Sequence, residues 1–115
     1  MKEFMMLFHH VPSSDYQPSP EDIQAEIKKW QDWIGDIASQ GKFVSTNQLA
    51  PEGKTMTSDH VVTDGPYAEV KEIVGGNIII KANDFEDALE IAKGCPVLAY
   101  PTSKVEIRPI MQINV

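Results

Sequence analysis

Residues 4–8 read Phe4-Met5-Met6-Leu7-Phe8, apolar at every position. A strand points alternate side chains to opposite faces, so this run predicts a β-strand that is buried on both. Further along, Ile78-Ile79-Ile80 repeats the pattern inside a second predicted strand, over 73–82. The Gly75-Gly76 pair of that strand predicts a bulge or a close approach of backbones. Two such strands belong at the centre of a sheet.

Working outward, Pro18-Ser19-Pro20 opens a helix, with Ser19 as N-cap, Pro20 at the first position and Glu21 and Asp22 in the first turn. Ile23, Ile27, Trp30, Ile34 and Ile37 recur every three or four residues, and Gly41 is placed to end the helix in a left-handed cap, which predicts a helix over 20–40. In this reading Trp30 continues the apolar stripe and Trp33 flanks it. Strands over 43–49 and 55–63, joined through Ala50-Pro51-Glu52-Gly53, read as a hairpin. Asn83, with Glu86 three residues on, caps a second helix whose stripe is Phe85, Ala88, Leu89 and Ala92 and which runs to Lys93. A last strand over 105–115 alternates apolar and polar residues, and Pro109 assigns it to a sheet edge.

The order is therefore βαβββαβ, a single α+β domain over 1–115. Two crossovers flanking a hairpin predict a ferredoxin-like antiparallel sheet with both helices on one face. The other face is then bare, although the central strands are apolar on that side too. A second copy of the chain, packed sheet against sheet in a homodimer, is the economical cover.

Composition narrows the function classes. The chain has 115 residues, 42% of them hydrophobic, and a formal net charge of -7. Folding such a chain buries about two-thirds of its surface, enough for a core without disulfides or a structural metal. The acidic balance offers no basic patch for a phosphate backbone or an anionic bilayer, so neither nucleic acid nor membrane is an expected partner. No apolar run approaches the roughly 20 residues that span a bilayer. The amino terminus lacks the pattern of a signal peptide, and the one cysteine, Cys95, forms no internal disulfide; both favour a cytoplasmic setting.

The most distinctive stretch is Val62-Thr63-Asp64-Gly65-Pro66-Tyr67-Ala68-Glu69-Val70-Lys71-Glu72. With Gly75-Gly76 and the closing Val105-Glu106-Ile107-Arg108-Pro109-Ile110, it resembles the YCII-related family, in the branch named for an Asp-Gly-Pro-Phe signature. Tyr67 stands where that signature has Phe. The resemblance covers nearly the whole chain and implies a dimeric α/β barrel of the ferredoxin-like kind. Members of this branch often lie beside sigma factors, and other members of the family pair a His on the first helix with an Asp. No histidine occurs over 20–40 here, so that dyad is not carried over.

Asp64 is the surviving acidic candidate. It has two compatible readings: it bonds backbone amides of its own turn, or it serves a site as a proton-transfer group. Glu69, Lys71 and Glu72 place carboxylates near a cation: if the link is helical Glu69 and Glu72 share one face, and if it is extended Tyr67, Glu69 and Lys71 do. The plain alternative is a solvated charged link. His9 and His10 point to opposite faces of their strand, so one face offers a single imidazole; no His or Cys recurs at metal-ligand spacing, and neither metal nor cofactor is expected. The candidate set is Asp64, His10 and Glu69 for proton transfer, with Tyr67, Lys71 and His9 holding a ligand. Cys95, between Gly94 and Pro96, reads as a buried and inert thiol. Two functions fit. One is a protein that binds a small organic molecule in a cleft between sheet and helices and performs lyase-like acid–base chemistry there. The other is a non-catalytic ligand-binding or protein-interaction module linked to transcriptional regulation.

Overall fold

The computed structural model describes residues 1–12, 17–64 and 72–113. Nine elements follow in order among them: β1 (Lys2–His10), α1 (Pro20–Ser39), β2 (Phe43–Gln48), β3 (Lys54–Met56), β4 (Val62–Asp64), β5 (Ile73–Ala82), α2 (Phe85–Ala92), a 3-10 turn (Pro96–Ala99) and β6 (Lys104–Pro109). Four strands form one antiparallel sheet in the order β2-β5-β1-β6. This is the ferredoxin-like α+β arrangement, with the two all-apolar runs in its two central strands.

Register explains the core. Phe4 lies opposite Ile80 and Met6 opposite Ile78, so these four side chains share one face, and all four are fully buried. Phe8 and Ala82 extend the layer, and Trp33 and Ile37 of α1 and Ala88 and Ala92 of α2 close it, with Cys95 and Val97 filling one end. Both helices therefore cover the same face. Burying each large apolar side chain contributes roughly 2 kcal/mol relative to leaving it in water. The opposite face carries Met5, Leu7 and Ile79, which are only half-buried.

Both ends of α1 are closed by local chemistry. The Ser19 hydroxyl accepts from the Asp22 amide at 3.1 Å while the Asp22 carboxylate accepts from the Ser19 amide at 3.3 Å, a complete capping box. At the other end Gly41 adopts φ 72°, its amide donating to Ala38 O (3.0 Å) and that of Lys42 to Ile37 O (3.1 Å). Only a residue without a Cβ enters that turn cheaply.

The hairpin expected between 43–49 and 55–63 is not formed. Instead β2 pairs with β5 at the sheet edge, and the later stretch folds on itself as a separate ribbon of β3 and β4. The reversal is made by Ser58-Asp59-His60: the His60 amide donates to Thr57 O and the Thr57 amide to Val61 O, both at 2.9 Å, and His60 takes φ 66°. The Thr57 hydroxyl donates to the Asp59 carboxylate, and that bond holds the Asp59 carboxyl below its ordinary range.

Three smaller differences from the expected elements remain. The N-cap of α2 is Asp84, accepting from the Asp87 amide at 2.8 Å, one residue later than Asn83. The Asp87 carboxylate reaches back to the Asn83 amide (2.9 Å) and across to Lys42 (3.3 Å); the amide bond first and the lysine second lower its pKa. Strand β6 stops at Pro109 rather than continuing to 115, and as expected it is an edge strand. Trp33, not Trp30, is the more buried of the pair, because its indole nitrogen donates to Ile91 O of α2 at 3.0 Å. Both still pack in one aromatic cluster with Phe8.

Gly75-Gly76 does what its composition predicts. The register of β1 on β5 slips between Phe8 and His9, where Gly75 is the extra residue. A Cβ on Gly76 would stand 2.7 Å from the Asn47 carbonyl oxygen, and one on Gly75 2.8 Å from the His10 ring.

Candidate functional site

The last residues of β1, the first of β5 and the first of β6 meet at one end of the sheet. Pairing sets Leu7 opposite Glu106 and His9 opposite Lys104, so these four side chains share the face that carries no helix. Glu72, the residue before β5, completes the group. The His9 Nε2 donates to Glu106 Oε1 at 2.9 Å, and its Nδ1 lies 3.7 Å from Glu72 Oε1. Lys104 Nζ is 3.1 Å from the other Glu72 oxygen, and Arg108 Nε 3.9 Å from the other oxygen of Glu106. The His9 side chain is 19% exposed, so the imidazole is largely enclosed by this ring of charges.

Each ring nitrogen faces a carboxylate, so either can give or receive a proton while the charge it leaves is balanced. The carboxylates flank the ring from two sides rather than converging on a point, and among the described residues no group of three or more His, Cys, Asp or Glu side chains is set to hold a metal ion. Beside His9 along the face run Leu7 and Met5, with Ile79 across from Met5. A polar group of opposed charges thus borders an apolar strip.

The sequence candidates fall in three places. His9 lies in this network. His10 turns its ring against Gly75, away from Glu72 and Glu106. Asp64 ends β4 on the ribbon, where its carboxylate meets Lys54 Nζ at 2.7 Å and is 92% exposed; no described contact joins it to either histidine. Tyr67, Glu69 and Lys71 lie outside the described residues. Glu106, Lys104 and Arg108 were not singled out as site residues from sequence. Their signal was present: the alternation that buries Val105 and Ile107 turns Glu106 and Arg108 outward, and a ferredoxin-like order places that strand beside β1.

Between the sheet and helices lie the buried side chains of the core. Two open depressions lie at the ribbon's base, one lined by Glu52, Gly53, Lys54 and Asp64, the other by residues 49–54 with Ile73 and Val74. Cys95 sits in the core, where burial pushes its thiol up to about 12. Among the described residues no helix is long and apolar enough to cross a membrane.

A family model described as the YCII-related domain matches residues 3–114. An uncharacterized protein of Rhizobium meliloti (strain 1021) is 27% identical over 84 residues, covering 64% of this chain and 68% of that protein.

Proposed function

The chain belongs to the YCII-related domain family, and from that premise we propose that it is a homodimeric protein which holds a small organic molecule on the helix-free face of its sheet, with His9 as the proton-transfer group. The observation that carries this is the imidazole set between Glu106 and Glu72 at the end of the Met5-Leu7-Ile79 strip. The strip takes an apolar body, and Lys104 and Arg108 at the rim take an acidic group; a small aromatic acid or a phenol has both. A bound acid competes with Glu72 or Glu106 for the cations, and His9 then exchanges a proton with the ligand atom above it. The second copy supplies the cover that excludes water. The Asp64-Gly65-Pro66-Tyr67 run supports the Asp-Gly-Pro-Phe branch, and a single buried cysteine supports a reducing, cytoplasmic setting.

The test is a screen of small aromatic acids and phenols by NMR. A ligand of this site shifts the ring signals of His9, and His9→Gln weakens it about tenfold or more, as expected for losing a bond to a charged group, while the melting temperature holds. Ligands that bind the Gln protein as tightly, with no shift at His9, would remove the site. Binding that depends on His9, with no exchange of ligand C–H protons for deuterium in D2O, marks the non-catalytic module instead.

A further inference from the structure

We propose that Glu106 is the positioning residue of His9, holding its imidazole in the tautomer that carries hydrogen on Nε2 and so leaving Nδ1 as the atom that takes a proton; this rests on the proton-transfer role given to His9 above. Strand register sets the pair. Glu106 lies opposite Leu7 and Lys104 opposite His9, which makes Glu106 a diagonal neighbour of His9 on the helix-free face. An ionised carboxylate offers acceptors alone, so the 2.9 Å contact between His9 Nε2 and Glu106 Oε1 puts the hydrogen on that nitrogen. On the other side of the ring Nδ1 stands 3.7 Å from Glu72 Oε1, outside hydrogen-bond range, so no bond there competes for the tautomer. Lys104 widens the difference: its Nζ is 3.1 Å from Glu72 Oε2, whereas Arg108 Nε is 3.9 Å from Glu106 Oε2. Glu72 is committed to a lysine, and Glu106 to the ring.

The consequence is an imidazole with one working nitrogen. Nε2 has no lone pair left to give, and the lone pair of Nδ1 faces the oxygen of Glu72. When a ligand C–H or O–H bond breaks, its electron pair stays on the ligand and the proton bonds to Nδ1; the imidazolium then has a donor on each nitrogen, one towards Glu106 and one towards Glu72. Because the Glu106 bond is made before the proton arrives, the ring need not turn to receive it.

The experiment is nitrogen-15 NMR of the full-length protein labelled in its histidine rings, with His9 assigned by the signals that His9→Gln removes. On the alkaline plateau, where the ring is neutral, wild type carries hydrogen on Nε2 in about tenfold excess or more, the bias expected of one hydrogen bond to a charged group. An imidazole in water leans the same way, so the variants decide. Glu106→Ala reverses the preference to Nδ1, because Glu72 is then the carboxylate left to bond, while Glu72→Ala leaves it on Nε2. Glu106→Gln, whose amide oxygen still accepts, falls between and serves as the folding-neutral variant, with far-ultraviolet circular dichroism unchanged. On acidification the second proton enters at Nδ1 in wild type and at Nε2 in Glu106→Ala. A structural role alone would lower the melting temperature of the Glu106 variants and leave the tautomer where it was. A wild-type ring with its hydrogen on Nδ1, or a ring that stays at Nε2 in both Glu106 variants as in wild type, overturns the role of Glu106. No ligand enters this measurement, so a failed ligand screen beside the stated tautomers removes the ligand site and not the role of Glu106.

Discussion

Strand β1 has two faces of nearly equal hydrophobicity and unequal fate. Phe4, Met6 and Phe8 are buried under both helices, whereas Met5 and Leu7 on the reverse are half-covered and lead to His9 and its carboxylates. Composition alone does not separate these faces. What separates them is which neighbours the topology delivers: two helices to one side, and only strand side chains to the other. The lesson is that an apolar residue reports a demand for cover, and the fold decides whether the chain itself meets it.

The largest expected effect tests that contrast directly. Met6→Ala removes a fully buried side chain and should lower stability by about 3 kcal/mol, within the range for core truncations, while Met5→Ala one position away should cost about 1 kcal/mol. Urea denaturation at concentrations where the protein is monomeric measures both. Equal losses would mean that the two faces are not different in the isolated chain.

A finer contrast lies in the glycine pair. At Gly76 an added methyl meets the backbone oxygen of Asn47, which cannot move without disturbing β2, so Gly76→Ala should cost about 2 kcal/mol. At Gly75 the obstacle is the ring of His10, which can rotate, so Gly75→Ala should cost less than half of that. The reverse order would show that the His10 ring is fixed more firmly than the sheet edge. The smallest effect concerns the covered side. Burial raises Cys95 from its ordinary value near 9 to about 12, so the native thiol keeps its proton while the unfolded one loses it. The stability this provides is complete below pH 9 and drains away as pH rises from there towards 12. The urea midpoint should drift down between pH 8 and 10, and Cys95→Ala should flatten the drift. A native thiol that reacts with a disulfide reagent at pH 8 as fast as the unfolded one would contradict the burial.

Much of the fold was legible because its signals are local. The capping box at Ser19, Pro20 at the first helical position and the left-handed Gly41 delimit α1, and the two double-sided apolar runs mark the central strands. The ribbon's reversal carries only a weak signal, Ser58-Asp59, with no Gly or Asn, and it is His60 that takes the positive φ. The candidate site was legible only in part. His9 was singled out, but Glu106 lies 97 residues away in sequence and Glu72 sits in a link that reads as solvated. Spacing along the chain carries no trace of such neighbours; they follow from strand order. Asp64, the residue the motif made prominent, is engaged with Lys54 across the ribbon.

The position of β1 also has a consequence in time. Its partners are β5 and β6, and Phe4 pairs with both Ile80 and Pro109. On the ribosome β1 emerges about 70 residues ahead of β5 and about a hundred ahead of β6, so at translation rates both of its hydrogen-bonding edges stay open for roughly 4–14 s and one of them for roughly 5–20 s. In that interval the all-apolar run is the stretch of nascent chain most in need of a chaperone, while α1, closed at each end by its own caps, can form without waiting for anything downstream.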